Sequence, residues 1–387
     1  MNKSFTLITL YVIAFAGYTS LSWLFPVIPY YTEHLGIGIS DTGLIVSIFS
    51  YVNALCIVPV GMISDRIGRR TLLIAGLVIC AVTPFLYPLG HNATGLYLIR
   101  IMHGLGAALL LPCVLSLVTD IASKGEHGKA MGWYTASSQL GLMAGPLAGG
   151  FVLEYLGFTA AFYTCSVMPV LALVFLFTRL HALPHKPVYQ EPKGPDRWGW
   201  LASRSAQISF IALTITAVGS ASVSTYIPLY VKQFSITESG AGIIITSCYI
   251  SSAGLRIPAG AMSDRFGNGR LITGGMALCA AGIALIPIFH GLLELSLIAL
   301  LFGLGMGFSM PAALSWLAQI SPPHKRGFAM GLGSASFQVG LAAGATVLGV
   351  ISQNHGFGVM YLAAGGIIAA AFLVILGLQL YGNRSAR

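Results

Sequence analysis

The sequence predicts an all-α membrane protein with twelve transmembrane helices in two six-helix bundles related by a pseudo-twofold axis. Of its 387 residues, 56% are hydrophobic and only 8% are charged, too few charges to cover the surface of a water-soluble protein of this size. Apolar runs follow one another along the whole chain, and the chain repeats itself at a fixed offset. These observations together predict a duplicated bundle that crosses a bilayer.

Twelve apolar runs are long enough to cross the hydrocarbon core, which takes about 20 residues. They lie at about 5–30, 42–63, 71–89, 96–119, 130–152, 160–180, 205–230, 240–262, 271–289, 295–318, 328–350 and 358–381. The first run is too long for a signal peptide, so we interpret it as a helix. The predicted domains are an N-terminal bundle, 1–180, and a C-terminal bundle, 205–387, joined by a polar, proline-rich cytoplasmic linker, 181–204.

The repeat is clearest in a glycine-rich, charged stretch between the second and third runs. It begins at Gly61 as Gly-Met-Ile-Ser-Asp-Arg-Ile-Gly-Arg-Arg, and returns at Gly260 as Gly-Ala-Met-Ser-Asp-Arg-Phe-Gly. The offset is 260 − 61 = 199, and it aligns most of each half without a gap. A single offset that holds for so long predicts two halves with the same fold.

The basic residues predict which side of the membrane each loop faces. Of 20 Lys and Arg, Lys232 alone lies in an odd-numbered loop, and Arg100 and Arg256 lie inside runs, which leaves 20 − 3 = 17 at the termini or in even-numbered loops. Since Lys and Arg mark the cytoplasmic side, both termini are predicted to be cytoplasmic. The positive net charge is therefore attributed to topology, and the expected partner is the lipid bilayer rather than nucleic acid.

Other function classes have little support in the sequence. The six cysteines are scattered in apolar runs without a C-x-x-C pair, so neither a disulfide framework nor a metal site is predicted. No H-E-x-x-H, G-x-S-x-G or phosphate-binding G-x-x-x-x-G-K-[ST] occurs. We therefore expect no enzyme, no cofactor and no ATP-driven pump. A receptor or scaffold would normally carry a large domain outside the membrane, and none is predicted.

The twelve runs, the two equivalent halves and the charged loop resemble the major facilitator superfamily over essentially the whole chain. Gly61 and Gly68 are expected to make the tight turn, and the second copy departs from the family pattern at Asn268 and Gly269. The resemblance implies a latch on the cytoplasmic side; the alternative is an ordinary turn with basic anchors. The predicted latch residues are Gly61, Asp65, Arg66, Gly68, Arg69, Arg70, Asp120, Asp264 and Arg265.

The fourth run carries Arg100 and His103 on one helical face, and resembles the family's fourth-helix motif, in which Arg is followed four residues later by Gly. Charged groups inside a span usually face a cavity or a partner, and histidine titrates near neutral pH. The alternatives are an arginine that extends to the interface and a histidine that is merely hydrogen-bonded. The predicted proton-coupling residues are Arg100, His103, Glu33 and Asp41.

The fifth run resembles the superfamily's antiporter motif, G-x-x-x-G-P-x-x-G-G. Small residues four apart allow helices to pack closely, and a proline bends the helix. In family terms this motif is typical of exporters, although ordinary close packing is the alternative. The motif residues are Gly141, Gly145, Pro146, Gly149 and Gly150.

Positions where the two halves differ are candidates for a substrate site, because packing needs are shared and chemistry need not be. Arg256, for example, aligns with Ile57, and lies about 12 Å inside its span. No Asp or Glu lies in the middle of a run, which favours a neutral or anionic substrate. The predicted cavity residues are Tyr18, Trp23, Asn53, Tyr134, Gln139, Tyr226, Tyr249, Arg256, Trp316, Phe337 and Gln338.

These observations favour a secondary transporter that works by alternating access with a substrate site between the halves. The function that we expect is proton-coupled efflux, or antiport, of a small organic or drug-like molecule by a monomer in the cell membrane. The alternative is a proton-linked importer or a uniporter of a small organic anion or sugar.

Overall fold

The computed structural model describes residues 3–122, 126–178, 198–322 and 325–385. Most of the predicted linker lies outside these ranges. The side chains of three predicted latch residues also lie outside the described part of the chain: Asp65, Arg66 and Asp264.

The described chain is helical, with no strand among the described residues. Its first half contains α1 (Lys3–His34), α2 (Ile39–Ile67), α3 (Arg69–Leu86), α4 (Ala93–Ile121) and α5 (His127–Phe177). Its second half contains α6 (Arg204–Ala221), α7 (Ile227–Val231), α8 (Glu238–Phe266), α9 (Asn268–Leu285), α10 (Leu292–Ile320) and α11 (Arg326–Ser385). A π-helical turn, Ser222–Tyr226, joins α6 to α7.

Two of the predicted loops are kinks inside continuous helices. Gly157 (φ 77°) divides α5, and Gly356 (φ 81°) divides α11. Both backbones are in the left-handed region, which glycine adopts without steric cost, and the two positions are related by the 199-residue offset. Each long helix thus contains two predicted runs, and the breaks expected near 152–160 and 350–358 are reduced to single residues.

Nine helical segments of the described chain are long and apolar enough to cross a membrane. Two of these, α5 and α11, contain two predicted runs each, and α8 supplies one more with its 29 residues. The sum, 9 + 2 + 1 = 12, accommodates the predicted twelve runs.

The chain divides into two compact units. Unit 1 comprises Met1–Ile37, Ile48–Gln190 and Thr237–Thr246, and unit 2 comprises Gly38–Ser47, Glu191–Ile236 and Ser247–Arg387. The first residues of α2 therefore belong to unit 2, and the first residues of α8 to unit 1. These two segments, 38–47 and 237–246, are themselves related by the 199-residue offset.

Packing within the two units follows the repeat. In unit 1, α1 packs mainly on α5, and α3 on α4. In unit 2 the equivalent elements pair in the same way, α6 with α11 and α9 with α10. The core of unit 1 is formed by fully buried apolar side chains such as Leu10, Ile13, Leu73, Leu77 and Val114. Shared packing of this kind explains why one offset aligns so much of the sequence.

Candidate functional site

A buried polar group lies on α4 in unit 1. Arg100 is only 6% exposed, and His103 is completely buried. Both contact Tyr87, which lies in the short 3-10 helix Tyr87–Leu89 that follows α3. The Tyr87 hydroxyl is 3.2 Å from Nδ1 of His103, and a guanidinium nitrogen of Arg100 donates to the same hydroxyl at 3.5 Å. The structure thus brings together two predicted proton-coupling residues through a third residue.

Aromatic rings surround this group. The guanidinium of Arg100 lies 4.7 Å from the centre of the Phe49 ring, and His103 packs edge-to-face on the same ring at 5.7 Å. Phe162 stacks on Tyr87 at 5.0 Å. Among the described residues, Nε2 of His103 has no hydrogen-bond partner. A cation and an imidazole held among aromatic rings form a polar centre that is costly to bury in a membrane protein, and such centres are usually functional.

Sequence reasoning missed Tyr87, although the repeat contained a signal for it. Tyr87 aligns with Ile286, as Arg100 aligns with Ala299 and His103 with Phe302. All three polar residues of unit 1 are therefore apolar in unit 2. The other two predicted proton-coupling residues lie elsewhere, at exposed helix ends: Glu33 near the end of α1 and Asp41 in the first turn of α2.

The antiporter motif forms a close contact between α5 and α1. A Cβ atom added at Gly141 would lie 2.6 Å from the Phe15 carbonyl oxygen, and one added at Gly145 would lie 2.6 Å from the Thr19 carbonyl oxygen and against Ser22. Gly149 likewise packs on the backbone of Trp23. Glycine is therefore required at this stripe because the two backbones touch.

The end of the same motif contacts the first residues of α8, which belong to unit 1. A Cβ atom at Gly150 would lie 2.6 Å from the Glu238 carbonyl oxygen, and Gly242 packs on the Pro146 carbonyl. The Thr246 hydroxyl donates to the Met143 carbonyl at 3.0 Å. The antiporter motif thus has two contact faces, one on α1 and one on the start of α8.

Unit 2 contains the equivalent contact between α11 and the first residues of α2. Gly43 packs on the Ala345 carbonyl, and Gly349 packs near Ile39 and Ser40. Each of these residues is displaced by 199 positions from its counterpart in the α5–α8 contact. The seam is therefore built twice, although the second copy has alanine at the place of Pro146.

The predicted latch contains an ion pair at the other end of unit 1. Arg69 at the start of α3 pairs with Asp120 at the end of α4, and Arg69 also donates to the Ser116 carbonyl at 3.3 Å. Gly68 makes the turn between α2 and α3 with a φ of 101°. Gly61, in contrast, lies inside α2, so the expectation that it helps to form the turn was wrong: the helix continues through it to Ile67.

The equivalent corner of unit 2 carries an amide pair. Asn268 at the start of α9 donates to Gln319 at the end of α10 at 2.9 Å. Gly267 makes the turn with a φ of 85°. Arg265, the predicted latch residue of this loop, is exposed and stacks on the adjacent Phe266 ring. Arg70 of unit 1 is half-buried at the second position of α3.

The predicted cavity residues are distributed over both units. In unit 1, the hydroxyls of Tyr18 and Tyr134 are 3.5 Å apart, Asn53 and Gln139 are buried, and Trp23 donates its indole N–H to the Ala161 carbonyl at 2.9 Å.

In unit 2, Tyr226 is completely buried and donates to the Ala345 carbonyl. A guanidinium nitrogen of Arg256 lies 3.9 Å from the sulfur of Met310. The remaining predicted cavity residues of this unit are half-buried: Tyr249, Trp316, Phe337 and Gln338. Trp23 and Tyr226 are thus held by backbone carbonyls within their own units. The described residues contain no cluster of His, Cys, Asp and Glu that could hold a metal ion.

Comparison with known proteins identifies the family. The model of the Major Facilitator Superfamily matches residues 10–234 and, a second time, residues 209–384. The chain belongs to this superfamily. It is therefore a multi-pass membrane transporter of a small molecule, and it is not an enzyme.

Several relatives match this chain over nearly its full length. The chain is 25% identical to the quinolone resistance protein NorA of Staphylococcus aureus over 98% of its own length and 97% of that protein. It is 26% identical to multidrug resistance protein 1 of Bacillus subtilis over 90% of each chain. It is also 25% identical to an uncharacterised MFS-type transporter of Methanocaldococcus jannaschii, over 96% of each chain.

Solved structures of the superfamily share the fold. A bacterial homologue of the human lysosomal transporter Spinster superposes with a TM-score of 0.84 at 15% identity, covering 97% of this chain and 96% of that one. A human organic anion transporter superposes with a TM-score of 0.69 at 17% identity, covering 97% of this chain and all of that one.

Proposed function

We propose that this transporter exports a small drug-like organic molecule from the cell in exchange for protons. Two full-length relatives are named for resistance to quinolones and to multiple drugs. The antiporter motif forms the close α5–α1 contact that an exporter of this family is expected to use. These two features favour efflux over uptake.

The buried contact of Arg100, Tyr87 and His103 is the observation that carries the proton coupling. Arg100 donates hydrogen bonds, and Tyr87 and His103 can donate or accept them. His103 can take up a proton once water enters the site or the Arg100 cation moves away, because burial and a neighbouring cation both disfavour the charged imidazole. Protonation of His103 next to the Arg100 cation places two positive charges in one buried site. Because like charges repel strongly at low dielectric, proton uptake there favours a conformation that separates or hydrates them.

The substrate that we propose is neutral or anionic. Arg100 and Arg256 lie well inside helices, whereas each Asp and Glu among the described residues lies near a helix end or, for Glu154, near the Gly157 kink of α5. A carboxylate in the middle of a span would be the simplest way to attract a cationic drug, and the sequence offers none. Tighter binding of cationic dyes than of anionic dyes by the purified protein would contradict this part of the proposal.

The proposed membrane orientation places both termini in the cytoplasm, as the distribution of Lys and Arg predicts. In this orientation the Arg69–Asp120 pair lies at the cytoplasmic end of unit 1, where the resemblance implies a latch. Asp65 belongs to the same proposed latch, and we expect Asp65→Asn to abolish transport while leaving the amount of folded protein nearly unchanged.

Inverted membrane vesicles provide the test of direction and coupling. With an acid interior, a proton-coupled exporter takes up a fluorescent substrate from the medium, and an ionophore that dissipates the pH gradient stops the uptake. Vesicles that contain Arg100→Ala protein serve as the coupling control. Loss of preloaded substrate under the same gradient would support the alternative, a proton-linked importer. Flux that is indifferent to the ionophore would support a uniporter.

A further inference from the structure

Two equivalent seams, one in each unit, end in equivalent hydrogen bonds with different chemistry. In unit 1, the Glu154 carboxylate of α5 accepts from the backbone N–H of Ser239, in the first turn of α8, at 3.0 Å. In unit 2, the Gln353 side-chain carbonyl of α11 accepts from the backbone N–H of Ser40, in the first turn of α2, at 2.9 Å. The two bonds correspond under the repeat, since 154 + 199 = 353 and 40 + 199 = 239.

The two bonds cap equivalent helices. The first N–H groups of a helix have no partner within the helix, and the helix dipole makes that end favourable for a negative charge. A carboxylate is therefore the stronger cap, and a protonated carboxyl group a much weaker one. A glutamine accepts the same bond at every pH. Only the Glu154 bond is expected to respond to protons.

The responsive bond holds a segment that packs closely on α5. Segment 237–246 of α8 lies on α5 through Gly150, Gly242 and the Thr246 hydroxyl. Segment 38–47 of α2 lies on α11 through the equivalent glycines and a 2.8 Å bond between Ser47 and Thr346. The packing of the two segments is thus matched, while the charge of the cap differs.

We propose that Glu154 is a proton-responsive residue of the transport reaction: its ionised carboxylate holds segment 237–246 on α5, and its protonation releases that segment. The inference deepens the proposed proton exchange and rests on it for the direction of the proton. Glu154 lies three residues before the Gly157 kink, where the first of the two predicted runs in α5 ends. In the predicted orientation this place is on the outer side of the membrane, from which protons enter during antiport. Proton uptake at Glu154 would thus loosen the outer seam of unit 1 and leave the seam of unit 2 unchanged.

Other titratable groups face the same place and must be separated from Glu154. Tyr30 on α1 is buried close to the charges of Glu33, at the end of the same helix, and of Glu238 on α8, as well as to Glu154 itself. The Thr237 hydroxyl also bonds to Glu154. Glu154→Gln preserves all of these neighbours and introduces the side chain that unit 2 already uses, so it is the appropriate variant.

Hydrogen–deuterium exchange of the full-length protein in detergent tests the proposal. Exchange of segments 237–246 and 38–47 is compared from about pH 7.5 down to about pH 3, because the capping bonds favour the ionised carboxylate and protonation is expected only below the usual range of a glutamate. Each rate is corrected for the intrinsic exchange rate at that pH. We expect protection of segment 237–246 to fall about tenfold on acidification, as for loss of one charged hydrogen bond, and protection of segment 38–47 to stay constant.

Two exchanged variants complete the experiment. Glu154→Gln is expected to make segment 237–246 indifferent to pH, and Gln353→Glu is expected to transfer the pH response to segment 38–47. A pH response of segment 237–246 that persists in Glu154→Gln would belong to Glu33 or Glu238 and would overturn the assignment, as would a flat response in the unsubstituted protein.

The exchange measurement needs no transport, so its failure is separable from that of the proposed function. Vesicles that exchange substrate for protons while segment 237–246 shows no pH response would refute only the role of Glu154. The expected exchange pattern in a protein without proton-driven flux would leave the switch in place and refute the antiport.

Discussion

Units 1 and 2 make the same contacts at three places with different side chains. Where α3 meets α4, Arg69 pairs with Asp120, and the equivalent corner of unit 2 holds an amide pair. Where the seam ends, Glu154 caps a helix, and its counterpart in unit 2 is Gln353. Around α4, unit 1 has a buried polar group, whereas the equivalent residues of unit 2, Ile286, Ala299 and Phe302, are apolar.

This difference separates the requirements of the fold from those of the chemistry. Glycine contacts, helix pairs and kinks are retained in both units because both must pack in the same way. At these three places the ionisable side chains lie in unit 1, so proton-dependent steps there are expected to act on unit 1. Each prediction below exchanges or removes a feature of one unit and uses the other unit as its control.

Removal of Arg100 is expected to have the largest effect on transport. Arg100→Ala takes the cation from the buried polar group and makes the position identical to Ala299 of unit 2. Because His103 then loses the cation against which its proton uptake acts, we expect proton-driven flux in inverted vesicles to fall by roughly 100-fold, the scale of a disabled acid–base group. The remaining flux is expected to lose its pH dependence. An unaltered pH profile would remove Arg100 from the coupling.

The Tyr87 hydroxyl provides a milder test of the same group. Tyr87→Phe keeps the ring stacked on Phe162 and removes only the hydroxyl that contacts both Arg100 and His103. We therefore expect roughly tenfold lower flux and a shifted pH profile. The control is Tyr361→Phe in unit 2, at the position equivalent to Phe162, where the hydroxyl bonds to the Ser222 carbonyl. Equal changes in the two pH profiles would indicate a structural effect only.

At one pair of equivalent glycines, Gly145 and Gly344, close packing is expected to be more demanding in unit 1 than in unit 2. Gly145→Ala places a Cβ atom against Ser22 and 2.7 Å from the Trp23 amide, whereas the equivalent Gly344→Ala has its nearest atom, the Val218 Cα, at 2.8 Å. We expect Gly145→Ala to destabilise the folded protein by about 1–3 kcal/mol, and Gly344→Ala to destabilise it less, as measured by thermal unfolding in detergent.

Two other glycines of the same helices supply the matched controls. Gly132 on α5 and Gly331 on α11 are also related by the repeat, and neither has an atom within 4 Å of an added Cβ. Alanine at either site is expected to be neutral or stabilising by up to about 1 kcal/mol, because glycine is a poor helix former. Losses at these sites as large as that of Gly145→Ala would attribute the effect to helix flexibility rather than to contact.

The ion pair of unit 1 can be replaced by the amide pair of unit 2. Arg69→Asn and Asp120→Gln are each expected to lower the free energy of unfolding by roughly 1 kcal/mol. The value is at the upper end for a surface ion pair because the two side chains are only 19% and 22% exposed. The double variant recreates the Asn268–Gln319 pair and is expected to recover most of the loss. Additive losses in this double-mutant cycle would show that the two corners are not interchangeable.

The fold was predictable because the lengths of the apolar runs and the internal repeat can both be read directly from the sequence. Run length predicts spans, and one offset of 199 residues predicts equal halves. The seams were less accessible, since the repeat does not indicate that segment 237–246 lies with unit 1. That placement depends on backbone contacts at Gly150 and Gly242, which a sequence shows only as small residues.

The candidate site was predicted in part for the same reason. Arg100 and His103 stand out as ionisable residues in an apolar run, whereas Tyr87 does not, because tyrosine is common near helix ends. Glu154 lies between two predicted runs, 130–152 and 160–180, but the sequence does not show the capping bond that it makes, because this bond depends on tertiary contact. Both residues are found when each position is compared with its counterpart 199 residues away. Tyr87 then differs in polarity from Ile286, and Glu154 differs in charge from Gln353.

A contact that exists only in unit 2 gives the smallest expected effect. The ammonium group of Lys325 lies 3.4 Å from the centre of the Trp198 ring, and Phe328 packs on the same ring. Trp198 precedes the repeated part of the chain, and Lys325 aligns with Glu126, so unit 1 has no equivalent. Trp198→Ala is expected to lower stability by roughly 0.5–1 kcal/mol, and Trp133→Ala, at an exposed position on α5, is the control. Equal changes in the two unfolding temperatures would mean that the cation–π contact adds nothing to the generic effect of removing an indole ring.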